Sequence, residues 1–532
     1  MALGCACAAP ALREIGNAAS FGRVGTPAWG AAPGSLVTVR GEGLGPPDPV
    51  IATGYPAPAE LGETKVQVTV GSQTLAAFPV SVSAREVTFA LSSQTRTGDA
   101  LVRVTYRGET SPPLAFVISP RSPGLFTANG QGRGPAEAWI ESEGERISLT
   151  LVKPARPGQT VTVHGTGFGA VEGGEDGASR PTASLAGGVQ IFAGKQSLEI
   201  VSISRAACCP GTDEIVFKAP SGVEGCYVPI VAWIPNGLDG RVFGQNQAVS
   251  NVATIAVSAD GTACADPLGL GGEDLARLSL MEQPKMAALV LGRTFSATDV
   301  GPDPPGQDAA VARFDTTSGL SLLRASGIYG LPAPGTCIGY PYDTRAEAVP
   351  LASRGSALDA GAELTVSGPN GSAVLARRDD GSYTGASKKG FYAPGTYTIA
   401  NGNGGADVPA FSAAISAPAP VTWTNKSHAN PTARFGVVRV DWEGGEPGGY
   451  VMLFSMVQNA VASVYGVCTE RAEARTFTMP SYEPYTLPIE RRDLGGLPAI
   501  IGFGSIDARR FEATGIDFGV AAFASLDAFF SP

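Results

Sequence analysis

The sequence has 532 residues with 70 Gly, 42 Pro, 43% hydrophobic and only 16% charged residues, which argues against global disorder, and its length implies three to four domains. Gly and Pro, together about a fifth of the chain, weaken helix interiors and mark turns between many short strands. A net charge of −10 without a basic cluster argues against nucleic-acid binding, and the longest apolar run, residues 286–291, is too short for a membrane-spanning helix.

Residues 1–10, MALGCACAAP, are small and apolar, and Ala6-Cys7-Ala8 fits an A-x-A cleavage pattern without a basic leader. They read as a signal-peptide remnant or a disordered terminus. Strands are expected at 36–40, 65–70, 86–91, 100–106 and 114–118 of a first domain spanning 11–119. A second domain, 120–258, has them at 160–164, 188–192, 199–204, 214–218, 228–233 and 252–257. In both, alternating apolar residues are punctuated by Gly or Pro in the manner of β-sandwiches. The two stretches echo one another. APGSLVTVRGEGLG at 32–45 returns as RPGQTVTVHGTGFG at 156–169, with Gly34 and Gly158 124 residues apart. REVTFALS at 85–92 returns as DEIVFKAPS at 213–221, with Phe89 and Phe217 128 residues apart. One folding unit therefore occurs twice.

Residues 259–284 form a linker. Within it GGEDLARLSLMEQ (271–283) spaces Leu275, Leu278, Leu280 and Met281 helically behind acidic residues that suit a helix N-terminus. Residues 285–418 make a third, β-rich domain with a loop at 301–307 and hairpin-turn signals at GPNG and DDG. Residues 419–532, from PVTWTN to GIDFGVAAFA, read as a fourth domain, an immunoglobulin- or fibronectin-like sandwich. The fold class is all-β: tandem immunoglobulin-like β-sandwiches with one short linking helix.

The eight cysteines include no CxxC pair and the chain has two histidines, so no metal or cofactor is expected. Disulfides in an oxidising compartment are the better reading, the alternative being that some are buried free thiols. Cys208 and Cys209 are adjacent, with Cα atoms about 3.8 Å apart, shorter than the usual disulfide span. Each is expected to pair with Cys226 or Cys264, leaving Cys337 and Cys468 for each other. That last bridge would close a loop of about 131 residues and stabilise by up to ~5 kcal/mol.

Candidate chemistry is thin. GTGFG at 165–169 follows a strand but is not followed by a helix that could present its N-terminus to phosphate. Its echo GEGLG at 41–45 argues for a structural turn with positive φ. A serine triad would need His164 or His428, and no G-x-S-x-G elbow is present. Arg40 stands where the second copy has His164, which reads as a solvated edge. The loop acids Glu172, Glu175 and Asp176, and the turn acids Asp379 and Asp380, could serve glycoside hydrolysis or calcium ligation. Turn acids are usually solvated, and no D-x-D-x-D-G pattern occurs. No catalytic residue is assigned. Trp233, Trp423 and Trp442 are, with four tyrosines, candidates for a sugar-stacking platform, although Trp423 and Trp442 lie in strands and are expected in cores. Tyr340, Tyr342, Tyr482 and Tyr485, beside proline in loops, are possible ligand contacts.

NAASF (17–21), APGSLVTVRGEGLG, SPGLFTANG (122–130), RPGQTVTVHGTGFG, CCPGTDEIVFKAP and GCYVPI together resemble the Solibacter-type C-terminal domain family. These are secreted, IPT/TIG-like β-sandwich regions of acidobacterial extracellular proteins. The likeness covers residues 11–258, and LDAGAELTVSGPNG, APVTWTN and ATGIDFG resemble tails from the same group. The resemblance implies an extracellular or cell-surface compartment, and that Cys208, Cys209, Cys226 and Cys264 belong together as disulfide cysteines. It transfers no activity. The module more often closes a longer protein, whereas here it comes first. The expected function is a non-catalytic structural or adhesive one, with other copies of the chain or a cell-surface polymer or glycan as partner. The rivals are a carbohydrate-binding array using the four tyrosines and a hydrolase using loop carboxylates.

Overall fold

The computed structural model describes residues 9–22, 28–173, 175, 184–238, 246–265, 271–294, 307–318, 331–342, 354–388, 390–426, 438–458, 463–480 and 497–530. These are all-β, with a single α-helix among the described residues. They divide into two compact units, one of Met1–Leu149, Gly158–Pro220 and Ile230–Thr254, the other of Thr150–Pro157, Ser221–Pro229 and Ile255–Pro532.

The first unit opens with nine strands: β1 (Ala11–Asn17), β2 (Leu36–Glu42), β3 (Val50–Ile51), β4 (Thr64–Val70), β5 (Gln73–Val82), β6 (Glu86–Ala90), β7 (Gly98–Tyr106), β8 (Glu109–Thr110) and β9 (Leu114–Ile118). They run in the order β1-β2-β6-β5-β4-β7-β8, with β3 paired to β5 and β9 to β7 off this path. β5 changes sheets midway: Ala76 and Ala77 pair with β4, whereas Phe78 to Val82 pair with β6 past an irregularity at Pro79–Ser81. That switch folds the ladder into a sandwich. Strict alternation does the rest; in β4 (TKVQVTV) Val66, Val68 and Val70 turn inward to meet Val37, Phe89 and Val102. Each such side chain, fully buried, is worth about 1.5–3 kcal/mol.

The second sandwich is built from β10 (Gly124–Leu125), β11 (Gly134–Pro135), β12 (Ala138–Ser142), β13 (Glu145–Ser148), β14 (Thr160–Thr166), β15 (Gln190–Ala193), β16 (Gln196–Ser197), β17 (Ile200–Arg205), β18 (Asp213–Lys218), β19 (Gly225–Ile234), β20 (Ala248–Val249) and β21 (Ala253–Val257). One sheet has the order β13-β12-β14-β18-β17 and the other β11-β21-β19-β15-β16. The sequence echo is a structural repeat. β2 pairs with β6 as β14 pairs with β18, with Val37 opposite Phe89 and Val161 opposite Phe217. The glycines of the shared turns, Gly43 and Gly167, both take positive φ, +66° and +85°.

In the second unit, helix α1 (Gly272–Ser279) lies inside the expected stretch and buries Leu275 and Leu278. The strands after it are β22 (Lys285–Thr294), β23 (Gln307–Thr317), β24 (Thr336–Tyr342), β25 (Arg354–Ala357), β26 (Glu363–Gly368), β27 (Gly371–Arg377), β28 (Tyr383–Ser387), β29 (Gly395–Ala400), β30 (Ser412–Ala417), β31 (Val421–Trp423), β32 (Arg439–Gly444), β33 (Tyr450–Gln458), β34 (Ser463–Arg471), β35 (Thr476–Thr478), β36 (Leu497–Phe511) and β37 (Phe518–Phe530).

Here the expected boundary between domains at 418/419 needs correction. A 13-stranded sheet runs β24-β34-β33-β36-β37-β22-β23-β28-β27-β26-β29-β30, with β25 added beside β23, interleaving strands from both spans. β37 pairs in parallel with β22, and β24 pairs with β34. Two cores result. One gathers Leu289, Phe314, Leu364, Tyr397, Ile415 and Phe523. The other places Trp423, Val440 and Trp442 of the three-stranded sheet β31-β32-β35 over Leu453 and Phe503. Strands 15 and 13 residues long, β36 and β37, serve more than one lobe, so sequence order and domain order part company. Leu278 of α1 packs with Ile506, Phe518 and Val520 of these same strands.

Three cysteine pairs lie at bonding distance: Cys208–Cys209, Cys226–Cys264 and Cys337–Cys468. The expected pairing of Cys208 and Cys209 with Cys226 or Cys264 is therefore corrected. Cys226 is the second residue of β19, and Cys264, whose N–H bonds the Leu151 carbonyl, comes to it with Cα atoms 5.1 Å apart, inside the usual span. Each finds a partner without the adjacent pair. Cys337 and Cys468 face each other across β24 and β34. Residues 1–8, with Cys5 and Cys7, lie outside the described residues.

Candidate functional site

The most concentrated buried chemistry of the first unit is an arginine between two carboxylates. β17 ends at Arg205 and β18 begins at Asp213, and antiparallel register sets the two opposite each other. Arg205 Nε donates to Asp213 Oδ1 at 2.9 Å, Nη1 donates to Glu175 Oε1, and Nη2 donates to the Gly169 carbonyl at 3.3 Å. Glu175 in turn accepts the Ser93 N–H and the Ser93 hydroxyl, each at 2.8 Å, while Asp213 Oδ2 accepts the Phe168 N–H at 3.1 Å. All three ionic side chains are 0% exposed.

The cluster therefore spans the two sandwiches of the unit. Ser93 belongs to the loop after β6 of the first; Arg205 and Asp213 belong to the second. Gly34, of the first echo, sits at φ +78° where a Cβ would lie 2.6 Å from Ser93 Oγ and 3.0 Å from Arg205 Nη2. Only a glycine leaves room there. Burial opposes the Arg205 charge, but Asp213 and Glu175 outweigh it and hold the guanidinium proton more firmly than usual. Burial pushes the Asp213 carboxyl above its ordinary value against the pull of Arg205. The oxygens of both carboxylates are occupied by donors of the protein and closed to solvent. This arrangement does the work of a clamp and leaves no acid or base facing a substrate.

Of the acids singled out from the sequence, Glu175 is the one in this clamp. Glu172 is exposed, and Asp176 lies outside the described residues. Asp379 and Asp380 occupy the turn between β27 and β28. There the Ser382 hydroxyl and N–H and then Arg313 hold the exposed Asp380 carboxyl down at about 2, so it is an ionised turn acid paired with protein donors. His164 stands opposite Glu214, with its ring 4.5 Å from that of Trp139. Burial, with Arg146 adding to it, pushes the imidazole below its ordinary value. His428, Tyr482 and Tyr485 lie outside the described residues. Tyr340 and Tyr342 are in β24, in register with Tyr465 and Ser463. Trp423 and Trp442 are buried around Phe503, and their indole N–H groups donate to Asn425 and Ala472. Trp233 packs with Phe192.

Two residues escape the sequence reading. Arg205 is a lone basic residue at a strand end, and nothing in its neighbours announces a buried partner. Trp139 sits half-buried with the Arg146 guanidinium 4.3 Å over its ring, and the alternation of AWIES was the available signal. Among the described residues no group of three His, Cys, Asp or Glu side chains is placed to hold a metal ion. None of their helices is long and apolar enough to cross a membrane.

No family model matches the chain, and no curated protein matches it. Among solved structures it is similar to a Bacteroides thetaiotaomicron protein of unknown function, at 10% identity and TM-score 0.15, over 58% of each chain. The chain thus spans little more than half of that protein. It is also similar to a Ca2+-stabilized adhesin that helps an Antarctic bacterium bind ice, at 10% identity and TM-score 0.12, over 98% of this chain and 99% of that one. Domains 4–9 of the surface-layer protein SbsC match at 10% identity and TM-score 0.18, over 98% and 65%. At these scores none of the three carries an argument about this chain's role.

Proposed function

We propose that the chain is a non-catalytic structural or adhesive protein of the cell exterior, with residues 11–258 an IPT/TIG-like module of the Solibacter-type family. The observation that carries this reading is the use of the buried Arg205, Glu175 and Asp213 to join two sandwiches rather than to meet a ligand. The cysteine pairs support an oxidising compartment. Its partners on this reading are other copies of the chain or a cell-surface polymer, engaged through sheet edges. β24 and β30 are the outermost described strands of the long sheet, and such ladders accept an added strand.

The test combines localisation with assembly. The reading expects the chain in the surface or secreted fraction, and light scattering expects mass that grows with protein concentration or on addition of isolated cell wall. Recovery from the cytosol with reduced thiols overturns it. So does a monomer that ignores cell wall and instead hydrolyses polysaccharide.

A further inference from the structure

The two buried cysteine pairs and the adjacent pair differ in access. Cys226, Cys264, Cys337 and Cys468 are at most 2% exposed, whereas Cys208 is exposed and Cys209 half-buried. The adjacent pair also occupies a special loop. Residues 206–212 run directly from Arg205 to Asp213, the two ends of the buried ion pair. Inside that loop the Thr212 N–H bonds the Cys209 carbonyl at 3.2 Å, and the Ala206 N–H bonds the Thr212 carbonyl at 2.8 Å. Its far side is fastened to the first sandwich. Thr166 Oγ1 donates to the Gly211 carbonyl at 2.6 Å and accepts the Leu36 N–H at 2.8 Å. A change in backbone at Cys209 is thus one hydrogen bond from Thr212 and two from Ala206, the residues flanking Asp213 and Arg205.

We propose that Cys208–Cys209 is a thiol-exchange site, open to an external dithiol, and that its reduction loosens the Arg205–Glu175–Ser93 clamp. A thiolate of the dithiol attacks the sulfur of Cys208, the more exposed residue of the two, forming a mixed disulfide as the Cys208–Cys209 bond breaks. Cys209 leaves as thiolate and takes up a proton. The second thiol of the reductant then attacks the mixed disulfide, leaves with its own sulfurs joined, and returns Cys208 as a thiol. Two electrons and two protons pass from the dithiol to the protein. With the link gone, the Cys208–Cys209 peptide is free to rearrange. The bonds from Cys209 to Thr212 and from Thr212 to Ala206 then no longer hold one geometry at the clamp.

The experiment uses the intact chain and dithiothreitol. Graded reductant under native conditions, followed by iodoacetamide and peptide mapping, is expected to alkylate Cys208 and Cys209 at concentrations at least tenfold below those needed for Cys226, Cys264, Cys337 and Cys468. Hydrogen exchange on the same samples is expected to speed the Ser93 and Phe168 amides at least tenfold after this selective reduction. The double variant Cys208→Ser/Cys209→Ser is expected to show the fast exchange without reductant and no response to it. Labelling of the buried pairs at the same dose, or no labelling at 208 and 209, overturns the exchange site. Clean reduction of 208 and 209 with unchanged Ser93 exchange overturns the coupling, and wild-type protein decides both points even where the variant folds poorly.

Discussion

The two copies of the repeat share a strand pair and part ways at its end. In the first, Arg40 meets Glu86 across β2 and β6 at 2.9 Å with both side chains 45% exposed. In the second, His164 meets Glu214 at the same place, and the next pair along carries Asp213, fully buried against Arg205. The residue of the first copy equivalent to Asp213 is Arg85, which is exposed. One scaffold thus supports both a solvated charge pair and a dry one. The difference lies in what lies beyond the strand: the Phe168–Gly169 turn and Glu175 close over Arg205, whereas the first copy's turn, through Leu44, bonds the Ala84 carbonyl.

The sharpest test of sameness is in the core. Phe89 and Phe217 are both 0% exposed and face equivalent valines. Phe89→Ala and Phe217→Ala are each expected to cost about 3–5 kcal/mol in denaturant unfolding. A large disparity breaks the equivalence of the two copies. The sharpest test of difference follows. Arg205→Met strands two buried carboxylates and is expected to cost about 3–5 kcal/mol, while Arg40→Met, at an exposed pair, costs at most about 1 kcal/mol. Similar losses from both would mean that the clamp is not a clamp.

The common part was legible because it is periodic. Val37, Val39, Val161 and Val163 alternate, and the echoed Phe89 and Phe217 fix which strands pair with them. The helix at 272–279 was legible from its leucine spacing. The clamp was not, because its members come from three loops and strand ends, and burial of a charge leaves no periodic trace. Glu175 looked like any acid in a glycine-rich loop. The second unit's shared sheet was illegible for another reason. The run GIDFGVAAFA announces a strand, and nothing local says that β37 will pair in parallel with β22, more than 200 residues earlier.

The turns give a smaller, cleaner contrast. Gly43 and Gly167 both sit at positive φ, but a Cβ on Gly43 meets nothing within 4 Å, while one on Gly167 would lie 2.0 Å from the Ser122 carbonyl oxygen. Gly43→Ala is expected to cost about 1–2 kcal/mol from backbone conformation alone. Gly167→Ala carries the same cost and must also displace the Ser122 backbone, whose N–H bonds the Gly167 carbonyl at 2.9 Å. Thermal melts of the two variants side by side give the excess. Equal losses would place the strain in φ and none in the contact.

The smallest expected effect separates Arg40 from His164 by pH. Burial, with Arg146 assisting and Glu214 opposing, holds the His164 imidazole below its ordinary value. A histidine depressed in the folded state is neutral in both states well above its unfolded value of ~6.5, and its share of stability is lost as pH falls through the folded value. Unfolding free energy is therefore expected to decline on acidification below about 6.5. His164→Gln is expected to flatten that decline, and Arg40→Gln, whose parent side chain stays charged throughout, to leave it unchanged. Urea unfolding at stepped pH, followed by tryptophan fluorescence because Trp139 lies 4.5 Å from the imidazole, reads the slopes. If His164→Gln steepens the decline instead, the imidazole gains more from Glu214 than it loses to burial, and the site holds a charged pair like its counterpart in the first copy.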